Sequence, residues 1–135
     1  MGESAHQLRE DKFFHVTHSS MKNHPFHKRV GFALSGIVHA WRFERSFRTH
    51  VAFAVLATAA LVVIRPAPIW WGIFVLTIGA VLAAELINAA LEALVDHLHP
   101  ELHPQIKIVK DMAAGGVLVL AVCSLLIAVL MVLDV

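Results

Sequence analysis

Charged residues are absent from three stretches of this chain: residues 51–64, 67–84 and 112–133 contain no Asp, Glu, Lys or Arg. A helix crossing the hydrocarbon of a bilayer needs about 20 largely apolar residues. The second and third stretches meet that length directly. The first does so if its helix begins a little earlier, and the predicted spans are about 48–65, 69–98 and 111–133. Arg65-Pro66-Ala67-Pro68 forms the break between the first two, since proline removes a donor and clashes with the preceding turn. Trp70 and Trp71 follow at once, a placement that suits a headgroup boundary. The second stretch does not end in a turn. It continues as Glu85-Leu-Ile-Asn-Ala-Ala-Leu-Glu-Ala-Leu-Val-Asp96, polar on one side only, before a loop with Pro100 and Pro104.

Upstream of the spans the pattern changes twice. Residues 1–25 are polar and histidine-rich without periodicity, and read as a mobile tail. Its histidines, among them His6, His15 and His18, have no tight metal-binding spacing. Over residues 26–48, Phe26, Val30, Ala33, Ile37, Trp41 and Glu44 step mostly by three or four, with Lys28, Arg29, Arg42 and Arg45 between them. That spacing predicts an amphipathic helix on the membrane surface. The expected fold is an all-α membrane protein, with three transmembrane helices plus this amphipathic N-terminal surface helix in one domain over 26–135.

Composition sharpens the class. Hydrophobic residues make up 58% of the chain and charged residues 16%, whereas a soluble domain carries about a quarter charged residues. An ordinary soluble enzyme is excluded. A formal charge of +1 gives no basic excess to hold a phosphate backbone, so no nucleic-acid partner is expected. The single cysteine, Cys123, excludes a disulfide framework within one chain and reads as a small packing residue. Eight Lys and Arg precede the first span, one follows it, and two lie between the second and third. The positive-inside rule then puts the amino terminus and the 96–110 loop in the cytoplasm and the carboxyl terminus outside.

Carboxylates at membrane depth are costly, and mark function by default. Glu85, Asn88, Glu92 and Asp96 are spaced three, four and four apart. At about 100° per residue they fall within an arc of roughly 80°, so one helix face is a ladder of oxygen ligands. Three readings are open: a solvated amphipathic end, a proton or cation relay, and a divalent-metal site for phosphate chemistry. Hard cations such as magnesium bind through one or two carboxylates plus substrate phosphates. Glu44 would approach the ladder's cytoplasmic end, with an intrahelical Glu44–Arg48 ion pair as the alternative. Lys107, Lys110 and Asp111 open the third helix on that side, where a lysine suits a phosphate and an aspartate can also cap. No P-loop is present: Ile37 and Val38 follow Gly36 where a lysine and a hydroxyl residue are needed.

At these residues the sequence resembles the small prokaryotic integral-membrane lipid kinases, which comprise diacylglycerol kinase and undecaprenol kinase. The 85–96 segment is similar to their Glu, Asn, Ala, Glu and Asp signature. Glu44-Arg-Ser-Phe-Arg48 resembles their other acidic motif, and Lys110-Asp111 their start of the third span. The likeness covers residues 28–133. It implies a homotrimer with active sites shared between subunits, moving the terminal phosphate of magnesium ATP to the primary hydroxyl of a membrane lipid in the bacterial cytoplasmic membrane. It further implies that Glu44 and Glu92 hold Mg2+, that Glu85 is the general base, and that Asn88 orients that centre. Lys110, Asp111, Glu101 and His103 are then nucleotide contacts, with Asp96 nearby. Ala113-Ala114-Gly115, His50 and Leu102-His103-Pro104 look more like the undecaprenol branch. Diacylglycerol is the alternative substrate, and a non-enzymatic ion-conducting protein the alternative class.

Overall fold

The computed structural model describes residues 24–99, 101 and 103–135. The expected tail lies almost wholly outside them, as do Pro100 and Leu102 of the loop. Four helices follow in order: α1 (Phe26–Phe43), α2 (Arg45–Ile64), α3 (Pro68–Leu98) and α4 (Pro104–Asp134). The chain divides into two units between Gly36 and Ile37, and every residue of the site described below belongs to the second.

Helices α2, α3 and α4 are each long and apolar enough to cross a membrane. The 31 residues of α3 and of α4 amount to about 46 Å at 1.5 Å per residue. That exceeds a hydrocarbon core of about 30 Å, so each helix has a turn or more to spare for the interfaces.

Local chemistry sets the helix ends. Arg65 takes the left-handed conformation (φ 52°, ψ 54°) and its N–H bonds the Leu61 carbonyl, closing α2. Pro68 then stands in the first turn of α3, where its missing donor costs nothing. At the other loop Pro104 opens α4, and the His103 ring accepts from the Gln105 N–H at 3.2 Å as the cap. The third membrane helix therefore starts well before residue 111, and Asp111 is an interior residue of α4 instead of its cap.

The break between α1 and α2 comes at Glu44, earlier than the expected helix end near 48. Glu44 is extended (φ −97°, ψ 111°), which takes the N–H groups of the next residues away from the last α1 carbonyls. The Arg48 guanidinium replaces them, donating to the Trp41 carbonyl at 3.1 Å and the Arg42 carbonyl at 3.0 Å. Arg48 is thus a backbone cap, and no Glu44–Arg48 ion pair forms among the described residues.

α3 packs against both α4 and α2. Among the described residues, the apolar side chains buried by the chain itself are Ala40, Phe47, Leu61, Val81, Val117 and Met131. Most of the large apolar residues of the spans face outward, as helices solvated by lipid do. Three hydroxyls deep in the spans are satisfied within their own helix: Thr58 donates to Ala54 O, Thr77 to Ile73 O and Ser124 to Leu120 O. Two polar contacts tie α3 to α4. At one end Trp70 Nε1 donates to Asp134 Oδ2 at 2.9 Å, and at the other Lys110 pairs with Asp96.

Candidate active site

The oxygen ladder of α3 divides into three environments. Glu85 is the one polar or charged residue that is fully buried among those described, at 3% exposure. An ionised carboxylate cannot be left there without donors, and α2 supplies them. Ser46 Oγ donates to Glu85 Oε1 at 2.7 Å, and His50 Nδ1 lies 2.8 Å from the same oxygen. A cavity of about 240 Å³ opens beside them. Ser46, His50, Glu85 and Asn88 line its polar side, while Ala114, Val117, Leu118 and Ala121 of α4 form an apolar wall.

One turn further along α3, Asn88 Nδ2 donates to Glu92 Oε1 at 2.9 Å. This leaves Asn88 Oδ1 buried and without a partner, the only such side-chain atom among the described residues. A buried acceptor with no donor costs about 1–3 kcal/mol, so its presence calls for a reason. Glu44 is partly buried, and its carboxylate forms no ion pair with the described residues. Asn88 Oδ1, buried without a donor on a side chain whose Nδ2 bonds Glu92, is a hard oxygen of the kind magnesium takes, as are the Glu44 and Glu92 carboxylates. Within the described part of one chain, no group of three His, Cys, Asp or Glu side chains is gathered at metal-binding spacing.

The outer rungs belong to an exposed charged cluster. Asp96 Oδ1 pairs with Lys110 Nζ across α3 and α4, and Lys107 pairs with Asp111 one turn apart along α4. Beyond them Glu101 and His103 line an open cavity of about 530 Å³ with Leu98, His99, Gln105 and Ile106. The structure thus gathers Glu85 and Asn88 in one place, and Asp96 with Lys110 in another. Ser46 and His50 were missed as partners of Glu85, although their four-residue spacing puts both on one face of α2.

The chain belongs to the prokaryotic diacylglycerol kinase family, whose model matches residues 31–132. It is 38% identical over 109 residues to the undecaprenol kinase of Bacillus subtilis (strain 168), covering 81% of this chain and 89% of that protein. It is 33% identical over 97 residues to a diacylglycerol kinase of Synechocystis sp., covering 71% of this chain and 55% of that protein. It is 26% identical over 99 residues to the diacylglycerol kinase of Escherichia coli (strain K12), covering 73% of this chain and 81% of that protein. The protein is accordingly a membrane lipid kinase, with a lipid and ATP as its substrates.

Proposed function

We propose that this kinase transfers the γ-phosphate of magnesium ATP to the primary hydroxyl of undecaprenol, giving undecaprenyl phosphate. The observation that carries a lipid acceptor is the placement of Glu85: buried on α3, facing a cavity that is polar on one side and apolar on the other. Glu85 lies about 26 Å along α3 from Pro68, which brings it toward the far edge of a hydrocarbon layer of about 30 Å. A long-chain alcohol keeps its hydroxyl at that depth. The higher identity to an undecaprenol kinase than to the two diacylglycerol kinases supports the polyprenol.

In this reading the Glu85 carboxylate accepts the proton of the lipid hydroxyl. The hydroxyl oxygen bonds the γ-phosphorus, the bond from that phosphorus to the β,γ-bridging oxygen breaks, and ADP leaves. Glu44 and Glu92 hold Mg2+, with Asn88 orienting them through its bond to Glu92. The ion, when bound, neutralises charge on the phosphates and aligns them. Lys110, Asp111, Glu101 and His103 hold the nucleotide, and Asp96 fixes Lys110. Such a set suffices because phosphoryl transfer is chiefly positioning and charge neutralisation.

The active assembly in this account is a homotrimer, which would join Glu44 and the ladder of neighbouring copies and cover apolar faces that a single chain leaves open. The amino terminus and the 96–110 loop are cytoplasmic, the carboxyl terminus is outside, and α1 lies at the interface through Phe26, Trp41 and Phe43. Two tests follow. Glu85→Gln should lower transfer of labelled phosphate from ATP to undecaprenol in mixed micelles about 10²–10⁴-fold, leaving a measurable residual rate, and Glu92→Gln should abolish it. Mixing Glu44→Gln and Glu85→Gln chains, each far below the wild-type rate alone, should restore activity if neighbouring subunits share a site, and no recovery at any ratio would refute sharing.

A further inference from the structure

The two oxygens of Glu85 have different surroundings. Oε1 accepts from Ser46 Oγ at 2.7 Å and lies 2.8 Å from His50 Nδ1. The same ring nitrogen is 3.2 Å from the Ser46 carbonyl oxygen. A backbone carbonyl and a carboxylate both accept, so Nδ1 must carry the hydrogen. The Nδ1–H bonds the Ser46 carbonyl in its own helix and at the same time lies against Glu85 Oε1, and Nε2 is left for other partners. Oε2 has no bond to the described residues. Nor is it sealed off, because the one enclosed side-chain atom without a partner is Asn88 Oδ1. Glu85 lines the cavity, and Oε2 is its oxygen left without a bond to the described residues.

Ser46 and His50 stand one turn apart at the start of α2: Ser46 donates to one oxygen of a different helix, and His50 Nδ1, bonded to the Ser46 carbonyl, lies 2.8 Å from that same oxygen. We propose that Ser46 and His50 are positioning residues for the reaction: they clamp Oε1 of Glu85 so that Oε2 alone is presented to the lipid hydroxyl. The proposal rests on Glu85 being the base. One hydrogen bond and one close ring nitrogen on the same oxygen oppose rotation of the carboxylate about its last bond. Without them either oxygen can swing toward the cavity, and a base displaced by about 1 Å loses up to about 10²-fold in rate.

The test uses the full-length protein in mixed micelles with undecaprenol, magnesium and labelled ATP. His50→Ala and Ser46→Ala should each lower kcat about tenfold while leaving the KM for ATP within about twofold, since one of the two groups held against Oε1 is lost and the nucleotide contacts are untouched. His50→Asn keeps a nitrogen donor near the position of Nδ1 and should recover kcat to within about threefold of wild type, whereas His50→Gln, whose donor stands one bond further out, should not. A residue acting only through Glu85 has nothing to add once Glu85 is gone. Placing His50→Ala on the Glu85→Gln background should therefore cost under about twofold more.

A full tenfold further loss in that double variant would overturn the clamp, as would a His50→Ala kcat at the wild-type level. Equal rates for the Asn and Gln variants would do the same. A wild-type rate for Glu85→Gln would remove the base itself and the clamp with it. If diacylglycerol proves to be the acceptor, the substrate reading fails alone, and the same ratios measured with that lipid decide the clamp.

Discussion

Replacing Asn88 with alanine separates a structural role from a metal-orienting one. The variant loses the 2.9 Å bond to Glu92, which as a bond to an ionised group stabilises by about 1.5–3 kcal/mol. It also removes Oδ1, the buried acceptor without a donor, whose burial costs about 1–3 kcal/mol. The two contributions oppose each other, so the metal-free protein should change stability by no more than about 2 kcal/mol. Metal use should respond quite differently. Losing the partner that orients a metal-binding carboxylate typically costs 10–100-fold in metal affinity or activity, so half-maximal transfer should need about 10–100-fold more free magnesium. Unfolding in detergent, followed by tryptophan fluorescence, gives the first quantity, and a magnesium titration at saturating ATP gives the second. A loss above about 3 kcal/mol with an unchanged magnesium requirement would refute the reasoning and make Asn88 a packing residue.

Other perturbations have distinct signatures. Arg48→Ala frees the Trp41 and Arg42 carbonyls and should destabilise the α1–α2 junction by about 1–3 kcal/mol, lowering activity by displacing Glu44; unaltered amide exchange at residues 41–46 would contradict this. Lys110→Ala should raise the KM for ATP about tenfold or more, as loss of a charge-assisted phosphate contact does. Asp96→Ala, which breaks an exposed pair, should cost under about 1 kcal/mol of stability, measured by thermal unfolding. Arg65→Val puts a β-branched residue at φ 52° and should destabilise by about 1–2 kcal/mol, whereas Arg65→Gly should lower the unfolding midpoint less than Arg65→Val does.

The membrane architecture was legible because charge is excluded from hydrocarbon, and three charge-free stretches leave little choice of spans. The ladder of Glu85, Asn88, Glu92 and Asp96 was equally readable, being a matter of spacing within one helix. What each rung touches was not. Glu85 reaches α2, Asn88 and Glu92 bond each other, and Asp96 pairs with α4; those differences depend on how the helices are rotated against one another. The helix break at Glu44 escaped for a related reason. No glycine or proline marks it, and it is sustained by Arg48 reaching back to carbonyls six and seven residues away. The early start of α4 did have a local signal in His103-Pro104. The polar residues Lys107, Lys110 and Asp111 hid it, since a hydropathy reading begins the helix only after them.

The most direct measurement offers undecaprenol and diacylglycerol separately to the purified protein in mixed micelles, with labelled ATP and magnesium and with Glu92→Gln as the blank. The account predicts labelled undecaprenyl phosphate in clear excess over phosphatidic acid, and neither product from the variant. Preferential labelling of diacylglycerol would contradict the substrate assignment while leaving the kinase site standing. Label on lipid with Glu92→Gln at the wild-type rate would contradict the site itself.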